Sequence, residues 1–270
     1  MGQWLHRIKN FLGLLPPRAY TYPAVDMTLS GGRQLHLVGS IHMGTSNMSP
    51  LPPYLMTQLR QADALIVEAD ISSHTPSPFG GGEVCQPLEQ RLSQQEFHCL
   101  QALCQEIGAD ATTFATLPAW QVALMMQAQQ AQLLGLRAEY GIDYQLLQSA
   151  KAQQITVIEL EGAAEQLAML EQLPQGGLGL LQDTLEHWRT NARLLQTMVS
   201  WWLDSKPNAL PEALPSTFSA ELYDLLMHCR NRHWQQKLQA LPAGNYVVAV
   251  GALHLYGDGN LPALLQEGLA

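Results

Sequence analysis

No two of the four cysteines, Cys85, Cys99, Cys104 and Cys229, stand at a Cys-x-x-Cys spacing. That removes a thiolate zinc knuckle and a thioredoxin-type redox pair, and leaves reduced, mostly buried thiols as the expectation. Charge is also scarce. Only 14% of the 270 residues are charged, and a net charge of −9 with a pI near 5.4 provides no basic stripe to track phosphates, so no nucleic-acid partner is expected. No apolar stretch approaches the roughly 18 residues of a membrane span. The first 23 residues carry a short apolar run broken by charges and by Pro16 and Pro17, with no small-residue cleavage site after it. An export signal and an integral membrane segment are therefore not expected, and the reading is cytoplasmic, with a partly amphipathic first helix. Gly-x-Gly-x-x-Gly, Walker and Gly-x-Ser-x-Gly patterns are missing as well, which excludes the familiar nucleotide loops and the serine elbow.

What the chain does have is a repeated stretch. Leu35–Gly44 reads LHLVGSIHMG and Val248–Gly257 reads VAVGALHLYG. Each is an apolar run stopped by Gly, with a histidine three residues on and a second Gly beyond. Such a run predicts a buried strand, and the glycine lets the chain turn and approach another group closely. His42 and His254 are then presented at strand ends, where open α/β sheets keep their sites. The spacing alone is weak: 21 Gly and 9 His in 270 residues predict 21 × 9 / 270, about 0.7, chance matches to Gly-x-x-His. The shared context carries the signal, against the plain alternative of two capped strand ends with incidental histidines.

Along the chain, Ala24–Leu29 and Gln34–Val38 flank a hairpin loop at Ser30-Gly31-Gly32-Arg33. Pro50, Pro52 and Pro53 open a helix to about Ala62. The strand Ala64–Val67 then ends in Glu68-Ala69-Asp70, and because Glu is rarely buried unpaired, Glu68 requires a cation nearby. Ser72–Gly82 reads as a loop, either a lid over the site or ordinary surface. Residues 86–151 and 163–241 are helical regions, with expected helices over Leu88–Ile107, Pro118–Leu136, Ile142–Lys151, Ala163–Leu173, Gly177–Leu203 and Ser219–Leu241. Between them the strand Ile155–Leu160 ends in Glu161-Gly162. Asp204–Pro215 is a linker, Tyr246–Val250 the last strand and Leu261–Glu267 the last helix.

Two helical residues stand out. Asp143 shares the inward face of Leu146 and Leu147, yet an acid in a first turn also suits the helix dipole. Arg230 falls in the apolar stripe between Leu226 and Trp234, so its charge must be paired. It is either a structural ion pair or a cation aimed at an anionic intermediate, and Asn231 beside it could orient the same group.

Two imidazoles and one carboxylate, His42, His254 and Glu68, form a common open metal site with a position left for water. A divalent ion there (Zn, Mn or Co) suits hydrolysis, with Asp143 or Glu161 as general base or further ligand and Arg230 as oxyanion stabiliser. Metal-free hydrolysis with one histidine as base is a further possibility.

The blocks GSIHMG, ADALIVEAD, EYGIDYQLLQSAK, IELEGAAEQLAML, RNRHW and VVAVGALHLYGDGNLPALL resemble the TraB/GumN family, over about Gln34 to Gly268. That family is similar to the Tiki metalloproteases and to the erythromycin-esterase and ChaN folds. The resemblance implies one α/β domain over residues 1–270, with a pair of small mixed sheets related by a pseudo-twofold and wrapped by helices. It also implies a site built on the two Gly-x-x-His loops. His42, Glu68, Asp143, Glu161, Arg230, Asn231 and His254 fall on the family's motif positions. Cys229 replaces the acid usual before Arg-Asn, which removes one partner from the site. The expected substrate is a peptide or small amide, and the alternative is a peptide-binding or regulatory module that keeps the pocket without turnover.

Overall fold

The computed structural model of the chain describes residues 20–70, 84–204 and 215–267. The expected N-terminal helix, the Ser72–Gly82 loop and the Ser205–Leu214 part of the linker lie outside the described residues. Strands β1 (Ala24–Leu29) and β2 (Arg33–Ser40) form the expected hairpin, turned by Gly31 and Gly32 at positive φ. Helix α1 (Pro53–Gln61) starts on its proline and leads to β3 (Ala64–Val67). Helices α2 (Leu88–Arg91), α3 (Gln94–Ile107), α4 (Ala119–Leu133) and α5 (Ile142–Ala152) follow, then β4 (Thr156–Glu159). After it come α6 (Ala163–Glu171), α7 (Pro174–Glu186) and α8 (Trp188–Leu203). A run of α9 (Ala220–Tyr223), a π segment (Asp224–Cys229) and α10 (Arg230–Gln239) precedes β5 (Gly244–Gly251) and α11 (Leu261–Glu267).

The α/β class and the helical wrap are as expected, but the strands join in one five-stranded sheet, not a pair of small ones. Its order is β1-β2-β5-β3-β4, parallel except for the β1 edge. Burial explains the order. β3 (ALIV) and the Tyr246–Val250 core of β5 are buried on both faces, as central parallel strands must be, whereas β4 is partly exposed and takes an edge. The last strand in sequence is therefore inserted between β2 and β3, which brings the second Gly-x-x-His loop beside the first.

Helices cover both faces. Val38, Val67, Val247 and Ala249 pack against α1, α5 and α8, while Leu37, Ile66, Val248 and Val250 pack against Trp234 and Leu238 of α10 and Leu261 and Leu265 of α11. A third core, free of strands, gathers α3, α4 and α7 around Leu100, Trp120, Met126 and Leu181. Two expected helices are split. Ser93 caps α3 with Glu96 in a reciprocal box, so Leu88–Ile107 breaks at Leu92. Gly177–Leu203 breaks at His187, and Gln175, Gly176 and Gly177 are left-handed.

Candidate functional site

Four parallel strands end at one level. Ser40 of β2 is opposite Gly251 of β5, and Val67 of β3 is opposite both Ala249 and Glu159 of β4. His42, His254, Glu68 and Glu161 therefore follow one another across the C-terminal edge of the sheet. The glycines of the repeated stretch have specific tasks here. A Cβ on Gly39 would lie 3.1 Å from Ala252 Cα, so this glycine lets the second loop rest on the first. The Gly251 N–H donates to Glu68 Oε1 at 2.6 Å, and a Cβ on Gly251 would sit 3.3 Å from that oxygen. Gly44 pairs with Arg137 in an isolated bridge, and a Cβ on Gly141 would meet the His42 carbonyl oxygen at 2.2 Å. These close backbone approaches set the first turn of α5 beside the first loop.

That contact settles Asp143. It is buried, and its Oδ2 lies 3.0 Å from His42 Nδ1. A carboxylate accepts, so Nδ1 carries the hydrogen and Nε2 is the nitrogen that gains and loses a proton. The Asp143 charge raises the pKa of His42 to about 9, although the side chain is 65% exposed to screening solvent. His254 is arranged the same way with a neutral partner. Its Nδ1 lies 2.7 Å from Asn231 Oδ1, while Asn231 Nδ2 donates to the Gly259 carbonyl, which fixes the amide orientation. His254 is buried, and burial lowers its pKa to about 4, so the ring is neutral with a bare Nε2.

Arg230 joins the two halves. Its Nη2 donates to Glu68 Oε2 at 2.6 Å and Glu161 Oε2 at 2.9 Å, its Nε to Glu161 Oε1 at 2.8 Å, and its Nη1 lies 3.4 Å from His254 Nε2. Burial pushes the Glu68 pKa up, but Arg230, then His254, His42 and the Gly251 N–H, bring it down to about 2. The charge of His42 acts on both Glu68 and His254, so the expected residues share one electrostatic site.

The structure thus brings together all seven expected residues. Glu161, expected as base or ligand, has its oxygens accepting from Arg230, Trp234 Nε1 and Gln166 Nε2. Asn231 orients His254. Two participants went unforeseen. Trp234 lies under the Arg230 guanidinium at 4.6 Å and against the His254 ring at 4.4 Å; its place one turn after Arg230 was a usable signal. Gln166 bridges Glu68 and Glu161 at 3.4 and 3.3 Å, and its only signal was its position on the helix after the second acidic strand end.

Two imidazoles oriented through Nδ1, plus a carboxylate, match in kind the donors a divalent ion takes. Among the described residues, no three His, Cys, Asp or Glu side chains form a ready ligand group. Arg230 lies on Glu68 Oε2 and faces His254 Nε2.

A family model described as TraB/PrgY/gumN matches residues 27–268. Protein YbaP of Escherichia coli (strain K12) is 57% identical over 262 residues, which are 97% of this chain and 99% of the relative. Protein YbaP of Shigella flexneri matches with the same figures. No solved structure matches significantly. No helix among the described residues is long and apolar enough to cross a membrane.

Proposed function

The chain belongs to the TraB/PrgY/gumN family, and on that premise we propose that it is a metal-dependent hydrolase of peptide or other small amide bonds. The observation that supports this reading is the placement, along one sheet edge, of two imidazoles held by their Nδ1 atoms and then a buried carboxylate. His42 Nε2, His254 Nε2 and Glu68 would hold a zinc, manganese or cobalt ion. Such an ion, when bound, lowers the pKa of a water and polarises a carbonyl. The residues around it do the positioning. Asp143 and Asn231 fix the two rings, Glu161 and Trp234 hold the Arg230 guanidinium, and that cation is available to an oxyanion.

The test is cleavage of a peptide library with added Mn, Co or Zn. Turnover that is lost on chelation and in His42→Ala and Glu68→Gln is expected; products that survive both variants would refute the assignment. The hold of Arg230 on Glu68 favours a second reading, a peptide-binding module without turnover. Peptide binding without product that persists in Glu68→Gln would establish it.

A further inference from the structure

We propose that His228 is a positioning residue for His254, acting through the turn at residues 257–260 and through Asn231. The inference concerns the orientation of one ring and holds whether that ring serves an ion, a water or a bound peptide. His254 presents a bare Nε2 to the site because Asn231 Oδ1 accepts from its Nδ1, at 2.7 Å. Asn231 in turn shows its oxygen to the ring because its Nδ2 is committed to the Gly259 carbonyl, at 2.9 Å. Whatever holds Gly259 therefore decides which nitrogen of His254 carries the hydrogen. With that carbonyl out of reach, the amide would be free to rotate and offer Nδ2–H to the ring. The hydrogen would then shift to Nε2, where it meets the Arg230 Nη1 donor 3.4 Å away.

His228 supplies the hold on Gly259 from outside the site. Its Nε2 lies 3.2 Å from the Asp258 carbonyl oxygen, and its ring fills the space beside Gly259, where a Cβ would come within 2.6 Å of His228 Cδ2. Gly257 and Gly259, both at positive φ, let the turn fold tightly against the helical run. The ring is steadied from its own run, with Nδ1 3.3 Å from Asp224 Oδ1 and an edge contact to Tyr223 at 5.0 Å between centroids. The π segment explains that last contact. Residues five apart in a regular α-helix point about 140° away from each other, whereas i→i+5 bonding over Asp224–Cys229 brings Tyr223 and His228 to one face. Tyr223 also abuts the turn, since a Cβ on Gly257 would lie 3.4 Å from its hydroxyl oxygen. Tyr223, His228 and Asn231, from α9, the π segment and α10, therefore grip one turn together.

Long-range ¹⁵N–¹H NMR of the His254 ring in the full chain, at pH 7 and with no metal added, tests this. Wild type is expected to show a single neutral tautomer with its hydrogen on Nδ1. His228→Ala is expected to lose that pattern and give a mixture of the two tautomers, and His228→Gln, whose amide N–H can reach the same carbonyl, to restore it. A folded His228→Ala with the wild-type pattern overturns the proposal, as does a mixture already present in wild type. A loss that His228→Gln leaves in place overturns it too, because general loosening of the run would produce that loss without the donated bond. If His228→Ala fails to fold, Gly259→Ala gives an independent answer, since its methyl meets the His228 ring at 2.6 Å. The ring signals of His228 and His254 are expected to move together; a His254 signal that stays in place is the contrary result. The readout needs neither ion nor turnover, so its outcome is separate from that of the hydrolase assay.

Discussion

Replacing Arg230 by Gln removes one cation from between two buried carboxylates, and the consequence can be worked through Glu68. Its side chain is 7% exposed, and its pKa is held at about 2 against an ordinary 4.5, with burial opposed by Arg230, His254, His42 and the Gly251 N–H. The folded-state value lies below the unfolded one. The carboxylate's contribution is therefore present above pH 4.5 and lost as pH falls toward 2. The difference corresponds to about 3 kcal/mol at neutral pH. In Arg230→Gln the largest of the lowering causes is gone while burial persists, so the Glu68 pKa rises and this contribution shrinks. Breaking one partner of a buried pair costs about 3 to 5 kcal/mol. Urea unfolding of both proteins from pH 3 to 8 is the assay. The stability difference between wild type and variant should widen as pH rises from 3 through 4.5 and stay wide above it. A variant within about 1 kcal/mol of wild type at pH 7, with a parallel pH profile, would refute the reasoning.

Asp143→Asn should lower the pKa of His42 from about 9 toward 6.5, followed by the ring-proton NMR shift. In wild type the pair's contribution is present below pH 6.5 and lost as pH rises through 9; a His42 titration unmoved by the substitution would separate the two residues. Gly141→Ala places a methyl 2.2 Å from the His42 carbonyl oxygen, so the melt should fall by about 1 to 3 kcal/mol and the His42 resonances should move; an unchanged melt is the contrary result. Trp234→Phe removes the Nε1 bond to Glu161 and part of the cation–π contact, at a cost of about 1 to 2 kcal/mol by chemical denaturation; no measurable loss would show that the indole is filler.

The strands were legible because burial writes them plainly. Ala64–Val67 is an unbroken apolar run that must be central, and Gly31-Gly32 can only turn the β1–β2 hairpin at positive φ. The single sheet was not legible, since nothing local states that β5 enters between β2 and β3. That placement follows from burying two fully apolar strands side by side. The residues of the site were readable from strand ends and from a charge in an apolar stripe, but their pairings were not. Asp143 meets His42 because Gly44 and Gly141 allow two backbones to touch, a contact across 101 positions. Arg230 was read as needing an anion. That it has two, from β3 and β4, follows only once those strands lie parallel in register.

The central claim is that His42 and His254, far apart in sequence, serve one ion together with Glu68. Titration of Mn²⁺ into the protein, with the ring protons of both histidines followed by paramagnetic line broadening, tests it most directly. The account predicts that both signals broaden together at one ion concentration, and that Glu68→Gln shifts this concentration upward. Broadening of one ring alone, or of neither, would contradict it.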